Sequence, residues 1–229
     1  MSFSNTEFWD RGFVKCTDNI DRESVTTVHN YMKSSGEIDR GHDAHGKYHP
    51  KPPNYPVKWA NYWSQDLNHI PSVDRIAKFY LPQVALLLDD PVIYHSDFVV
   101  TTPDHRGVRP HIDTPYRFES FSDETDLLGV QCLMPLTDFN QVTGGTAFVP
   151  GSHNENWDIK KCYQGEYNDY FLDNYQQPQL TPGEMLFWHP RTLHSAMPNN
   201  SSWTRVALLI LYIERRINDE VRVIDNIFS

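Results

Sequence analysis

The stretch PGEMLFWHPRTLHSAMPNNSSWTRVALLILY, residues 182–212, decides the fold class of this chain. It holds two runs rich in apolar, β-branched and aromatic residues, GEMLFWH and TRVALLILY, and the segment between them contains the Pro, Asn and Ser residues that are typical of turns. Runs of this kind predict β-strands. Three similar runs come earlier, after Pro91: PVIYHSDFVVTT, DLLGVQCLMPL and GTAFVP. The second part of the chain is therefore predicted to be an antiparallel β-sandwich or barrel.

The first 90 residues have a different character. Residues 6–35 predict helix with a short break, and a second helix is predicted from about Ser72 to Leu88. Between them, residues 40–56 contain four prolines, two glycines and three histidines, which predicts a long loop. No linker separates the two parts. We therefore expect one domain over residues 1–229, with a mostly helical flank and loop at 1–90 and a β core at 91–214.

Composition limits the function classes. The chain has 229 residues, a formal net charge of −10 and 39% hydrophobic residues, so it can bury a substantial core. The acidic charge disfavours binding to nucleic acid through phosphates, and weakly disfavours anionic membranes. Three widely spaced cysteines without a CxxC motif suit a reducing compartment, and the longest apolar run is too short to span a bilayer. We expect a cytoplasmic protein with a small-molecule substrate; the sequence does not indicate its oligomeric state.

Two His-x-Asp pairs are candidates for a metal site, since residues two apart on a strand point to the same side. His111 and Asp113 lie in RPHIDTPYR, and His95 and Asp97 lie in VIYHSDFVV. The second pair sits inside an alternating strand and could be its polar face. The first pair follows the loop PDHRGVRP, at the mouth of a strand, where functional sites are commonly built. We therefore favour His111 and Asp113.

A facial iron site needs a second histidine, and His153, His189 and His194 are the candidates downstream. His153 lies in a turn, VPGSH, which favours a structural role. An oxygenase that uses 2-oxoglutarate must also grip the far carboxylate of this co-substrate, a task that suits a fixed arginine. Arg205 begins an otherwise apolar strand 11 residues after His194. We therefore choose His194, and expect it to face one cavity with Arg205 from adjacent antiparallel strands.

These residues resemble the phytanoyl-CoA dioxygenase-like family of Fe(II)/2-oxoglutarate oxygenases. The likeness covers EFWDRGFV at 7–14, the His111-Ile112-Asp113 motif, GGTAFVPGSH at 144–153 and the stretch at 182–212, in the family's order. The resemblance implies a mainly β fold with flanking helices, a double-stranded β-helix or cupin-like jelly roll. It implies that His111, Asp113 and His194 bind iron and that Arg205 binds the co-substrate.

The chain departs from the family pattern at the second co-substrate contact. Many related enzymes have a serine two residues after the arginine, where this chain has Ala207, and the family's lysine position maps near Thr101 or Thr102. Thr102 and Gln131 are our candidates for this contact.

The activity implied by the resemblance is hydroxylation of an unactivated C–H bond by dioxygen, with release of succinate and CO2. Tyr116 and Arg117, just after Asp113, are candidates for substrate contact. Two alternatives stay open: a cupin-like protein that binds a metal or acts as a sensor without catalysis, and an oxygenase that acts on a protein or a nucleic acid. The acidic charge disfavours the nucleic-acid version.

Overall fold

The computed structural model describes residues 3–18, 20, 22–34, 61–63, 67–103 and 105–228. The predicted loop at 40–56 lies outside them. The helices in the described residues are α1 (Asn5–Arg11), α2 (Arg22–Ser34), α3 (Pro71–Val84), α4 (Ile159–Gln164), α5 (Asn168–Asn174) and α6 (Asn218–Phe228). The strands are β1 (Phe13–Cys16), β2 (Asn61–Trp63), β3 (Pro91–Thr101), β4 (Gly129–Pro135), β5 (Thr146–Phe148), β6 (Met185–Trp188), β7 (His194–Ala196) and β8 (Arg205–Glu214). None of these helices has the length and apolar character needed to cross a membrane.

The strands form two sheets. The larger sheet has the order β1-β6-β4-β8-β3-β2, and every pair in it is antiparallel. The smaller sheet pairs β5 with β7, and isolated bridges extend it on both sides, from His194 to His111 and from Phe148 to Gln176. Because β6 and β8 lie in one sheet and β7 between them lies in the other, the chain alternates between sheets. This is the predicted jelly roll, mainly antiparallel β with flanking helices.

The two faces of β8 explain how the sheet is buried. Val206, Leu208, Ile210 and Tyr212 point outward, into a core that the helices α2 and α3 cover. The hydroxyl of Tyr212 donates to the carbonyl of Ala77 in α3 at 2.7 Å, which ties the helix to the sheet. Each aliphatic side chain buried in this way stabilises the fold by about 1.5–3 kcal/mol. The alternate residues of β8 face the interior between the two sheets.

The predicted helix at 6–35 is wrong at Phe13–Cys16, which form strand β1. Gly12 ends α1 with a left-handed backbone, φ 80°, and its N–H donates to the carbonyl of Phe8 at 2.8 Å. A side chain at Gly12 would also meet His153 and Thr192 at under 3 Å. After this turn the chain is extended and pairs with the edge of β6. Strand pairing thus outweighs the local helical pattern.

Candidate metal centre

Three side chains that can hold a metal ion lie together between the sheets: His111, Asp113 and His194. One ligand atom from each lies within 4.8 Å of the others, and these residues are the one such group of three found in the described parts of the chain. Nε2 of His194 is 3.2 Å from Oδ2 of Asp113, and Nε2 of His111 is 3.8 Å from Oδ1. Two imidazoles and one carboxylate on one side of a metal are the facial arrangement of non-heme iron.

The backbone of the smaller sheet brings these residues together. The N–H of His111 donates to the carbonyl of His194 at 2.9 Å, and the reciprocal bond is 3.1 Å. The N–H of Asp113 donates to the carbonyl of Pro190 at 2.8 Å. The His-x-Asp segment is therefore held against the β7 segment by main-chain bonds, whatever metal or proton the side chains carry.

Both imidazoles are oriented by backbone carbonyls. Nδ1 of His111 lies 2.7 Å from the carbonyl of Arg109, and Nδ1 of His194 lies 2.9 Å from the carbonyl of Thr192. A carbonyl only accepts, so each Nδ1 carries the hydrogen and donates. In a neutral ring the lone pair is then on Nε2, the atom that faces Asp113. Metal-binding histidines commonly use this arrangement.

The charges of the three groups are strongly coupled. Burial and the neighbouring His194 lower the pKa of His111 to about 4. Burial raises the pKa of Asp113, but the two histidines and hydrogen bonds from His194 and Trp188 outweigh it and hold this pKa well below its usual range. Burial lowers the pKa of His194, and the Asp113 carboxylate more than compensates and raises it. At neutral pH the site therefore offers a carboxylate and a neutral His111, while the same carboxylate favours the protonated form of His194.

Aromatic residues enclose the buried side of the centre. Nε1 of Trp188 donates to Oδ2 of Asp113 at 3.0 Å. The ring of Phe148 stacks on His194 with a centroid distance of 5.6 Å. The side chain of His194 is 6% exposed, whereas that of His111 is 30% exposed. The centre is therefore more open to solvent on the His111 side.

Arg205 is almost fully buried, with 1% of its surface exposed. It shares the inward face of β8 with Ala207, which packs in one cluster with Trp188 and Phe148. Its guanidinium donates to the carbonyl of Gly144 and, at 2.6 Å, to the hydroxyl of Thr101. It lies over the ring of Phe139, 4.6 Å from the centroid.

His194 and Arg205 do not stand on adjacent strands, and that expectation was wrong. β7 pairs with β5 and β8 pairs with β3 and β4, so the two residues lie in opposite sheets. The expectation assumed that the strands carrying His194 and Arg205 form a hairpin. In a jelly roll, successive strands such as β7 and β8 instead lie in different sheets.

The candidates for the second co-substrate contact lie in different surroundings. Gln131 stands on β4 between Trp188 and Leu211, and is 4% exposed. Its Oε1 is buried and has no hydrogen-bond partner in the described chain. Thr102 lies one residue past the end of β3 and is half-buried, and the hydroxyl that contacts Arg205 belongs to Thr101. Thr101, and not Thr102, makes this contact because Thr101 pairs directly with Arg205 in the register of β3 and β8.

The two candidates for substrate contact also differ. Tyr116 is fully buried; its hydroxyl donates to the carbonyl of Asp126 and accepts from the N–H of Leu128 at 2.8 Å. These bonds anchor Tyr116 in the core, and its contact with a substrate stays a prediction. Arg117 is exposed, and its charge is one of those that lower the pKa of His111. Arg117 therefore lies near enough to His111 for its charge to act on that ring.

The remaining histidines have other surroundings. His95 and Asp97 contact each other on β3, with 3.2 Å between Nε2 and Oδ2. Nε2 of His153 is 3.0 Å from the carbonyl of Trp9, and Nδ1 of His189 accepts from the N–H of Arg191 at 3.0 Å. His153 and His189 contact each other, with ring centroids 5.2 Å apart.

Sequence reasoning missed two residues that position the site, Trp188 and Thr101. Trp188 lies in a run that also fits an apolar strand, so nothing in its spacing pointed to a hydrogen bond with Asp113. For Thr101, the one available signal was its place near the family's lysine position.

Comparisons with known proteins identify the family and the fold. A family model described as phytanoyl-CoA dioxygenase matches residues 11–207. Among curated proteins no sequence matches. Three similar solved structures are SnoN, a non-heme alpha ketoglutarate dependent epimerase from nogalamycin biosynthesis, SnoK, a carbocyclase from the same pathway, and HygX from Streptomyces hygroscopicus with nickel, 2-oxoglutarate and hygromycin B bound.

These likenesses are structural and extend over most of each chain. SnoN has 16% identity and a TM-score of 0.69, and the match covers 91% of this chain and 79% of SnoN. SnoK has 20% identity and a TM-score of 0.68, and the match covers 93% of this chain and 84% of SnoK. HygX has 15% identity and a TM-score of 0.66, and the match covers 93% of this chain and 88% of HygX. They show the fold. The family match spans β1 to the start of β8 and contains all three clustered residues and Arg205, so this chain belongs to the phytanoyl-CoA dioxygenase family.

Proposed function

We propose that this chain is an Fe(II)/2-oxoglutarate-dependent dioxygenase that hydroxylates a C–H bond of a small molecule. The observation that carries the proposal is the cluster of His111, Asp113 and His194, with both Nδ1 atoms bonded to backbone carbonyls and both Nε2 atoms directed to one carboxylate. The donor set fits iron(II), because it is a facial triad that leaves adjacent coordination positions for ligands. Structural neighbours include proteins with nickel and 2-oxoglutarate bound.

When bound, Fe(II) and 2-oxoglutarate supply the oxidising chemistry with dioxygen, and succinate and CO2 leave. The protein's own residues fix the geometry. Trp188 and the backbone N–H of Asp113 hold the carboxylate segment in place. Asp113 also fills the position that a halide ligand would need, which favours hydroxylation over halogenation.

Arg205 is the proposed partner of the far carboxylate of 2-oxoglutarate. A planar guanidinium suits a carboxylate because two parallel hydrogen bonds form with one orientation. Gly144 and Thr101 hold the guanidinium from the sides, and Phe139 lies beneath it, so its direction is fixed before the co-substrate arrives. Gln131 and Thr102 stay proposed as further co-substrate contacts.

The proposed substrate is a small molecule that enters on the exposed side of His111, where Arg117 lies. Neighbouring structures contain hygromycin B (HygX) and nogalamycin RO (SnoN), which supports a small-molecule substrate class. We propose a cytoplasmic location, since all three cysteines are free thiols in buried surroundings.

The proposal is tested by loading the protein with Fe(II) and 2-oxoglutarate without oxygen and then admitting air with a panel of metabolites. We expect succinate in all cases at a slow uncoupled rate, and faster succinate together with an alcohol product when the substrate is present. A protein that binds metal yet forms no succinate above the level of free iron is instead the non-catalytic metal binder. Arg205 argues against that alternative, because a metal site without an anionic co-substrate has little use for a buried guanidinium.

A further inference from the structure

His105 lies in the loop after β3 and is held beside the strand end that carries Thr101. It is 1% exposed. Its N–H donates to the carbonyl of Thr102 at 3.2 Å, and its carbonyl accepts from the N–H of Asn199 at 2.8 Å. The side-chain amide of Asn199 donates in turn to the carbonyl of Thr101 at 2.9 Å. Because Thr101 pairs with Arg205, these bonds place His105 in the same region as the guanidinium.

The hydrogen-bond partner of Nδ1 fixes the tautomer of His105. The N–H of Gly107 donates to this atom at 3.0 Å, and a backbone amide only donates. Nδ1 therefore carries a lone pair, and the hydrogen of the neutral ring is on Nε2. Burial, together with the positive charge of Arg205, lowers the pKa of His105 to about 4, so the ring is neutral at pH 7. Nε2–H is thus a buried donor.

This donor has no acceptor in the described part of the protein. Buried polar groups are rarely left in this state, and a donor near the charge of Arg205 is in a position to bind a ligand. Such a ligand must accept a hydrogen bond, and the neighbouring Arg205 makes an anion the favoured acceptor. A donor bonded through its other nitrogen to Gly107 is also fixed in direction, as a binding group should be.

We propose that Nε2–H of His105 donates a hydrogen bond to the far carboxylate of 2-oxoglutarate beside Arg205. The inference rests on the proposed function and adds a residue to it. It also accounts for the departure at Ala207, which has no hydroxyl to make the contact of the serine in related enzymes. A carboxylate has two oxygens with about four acceptor positions, so it can accept from the guanidinium and the imidazole together.

Two substitutions separate the ligand contact from the structural bond to Gly107. In His105→Asn the side-chain oxygen lies near the position of Nδ1, so the Gly107 bond is kept and the donor at Nε2 is lost. In His105→Gln the amide nitrogen reaches the position of Nε2, so the donor is kept and the Gly107 bond is lost. The ligands are 2-oxoglutarate and pyruvate, a 2-oxo acid without the far carboxylate, titrated calorimetrically into Ni(II)-loaded protein.

For His105→Asn we expect the Kd of 2-oxoglutarate to rise about tenfold and that of pyruvate to stay unchanged. For His105→Gln we expect a Kd for 2-oxoglutarate within about threefold of the original protein, with a lower thermal midpoint. The inference is overturned if His105→Asn binds 2-oxoglutarate as tightly as the original protein, or if both ligands weaken equally. If the unsubstituted, Ni(II)-loaded protein does not bind 2-oxoglutarate, the proposed function fails first, and this inference fails with it.

Discussion

The indole Nε1 of Trp188 donates a 3.0 Å hydrogen bond to Oδ2 of Asp113, the oxygen that also lies 3.2 Å from Nε2 of His194. One oxygen of the carboxylate is thus held from two sides. The other oxygen, Oδ1, faces His111. The tryptophan therefore controls which way the carboxylate presents its lone pairs to a metal.

Trp188→Phe should weaken metal binding while leaving the fold intact, because the phenyl ring keeps much of the packing against Phe148 and loses only the N–H. Loss of a bond that orients a ligand typically costs about 10- to 100-fold in metal affinity, and we expect the lower end of that range. Calorimetric titration with Ni(II) measures the change. The thermal midpoint of the metal-free protein is the control, and an unaltered Ni(II) affinity would show that the hydrogen bond is not needed.

Asp113→Ala and Asp97→Ala form a matched pair of substitutions, since each removes the carboxylate of one His-x-Asp motif. Asp113 contacts both His111 and His194, whereas Asp97 is paired with His95 on β3. We expect Asp113→Ala to lose succinate formation and at least about tenfold in Ni(II) affinity. Asp97→Ala should retain Ni(II) affinity and uncoupled succinate formation. If Asp97→Ala loses Ni(II) affinity and Asp113→Ala retains it, the metal site is instead formed by His95 and Asp97 on β3.

The placement of His111 and Asp113 side by side could be predicted because it depends on short-range chemistry. The alternation of a strand places His111 and Asp113 on one side, and an arginine that begins an apolar strand marks a built pocket. Both signals are contained within a few residues. The location of Arg205 in the sheet opposite His194 could not be predicted, because it depends on which strands pair, and pairing is decided by the whole chain.

The same limit explains the errors in the first part of the chain. Phe13–Cys16 carry apolar residues at spacings that fit a helix as well as a strand, and β6 is 169 or more residues away along the sequence. The role of Trp188 depends on its hydrogen bond to Asp113, which is 75 residues away along the sequence. The role of His105 depends on its tautomer, which the bond from Gly107 fixes. Neither leaves a periodic pattern.

Arg205→Ala should greatly weaken the binding of 2-oxoglutarate while Ni(II) still binds. Two charge-assisted hydrogen bonds are lost, and we expect the Kd of 2-oxoglutarate to rise about 100-fold. Because Arg205 is buried, Arg205→Lys serves as a second variant that keeps the charge and loses the planar fork; it should give an intermediate Kd. Pyruvate affinity is the control for pocket collapse. Equal 2-oxoglutarate affinities in all three proteins would remove Arg205 from the co-substrate site.

Tyr116→Phe distinguishes a packing role from a substrate role. The substitution leaves the N–H of Leu128 and the carbonyl of Asp126 without the hydroxyl that both contact. We expect the free energy of unfolding to fall by about 1–3 kcal/mol, with metal and 2-oxoglutarate affinities unchanged. Chemical denaturation of the metal-free protein measures the first quantity. Full stability combined with a raised KM for the substrate would instead give Tyr116 a place in substrate binding.

Metal affinity should depend on pH through His194. Its pKa is raised by Asp113, so below this pKa a bound metal must displace one proton, and affinity falls about tenfold for each pH unit. The pKa of His111 is about 4, and the pKa of Asp113 is held below its usual range, so neither carries a proton that the metal must displace at pH 6. Ni(II) titrations in two buffers with different ionisation enthalpies count the released protons. We expect close to one at about pH 6 and a decline toward zero as the pH rises through the pKa of His194. Two protons at pH 6 would mean that His111 is also charged, and that its burial does not control its titration.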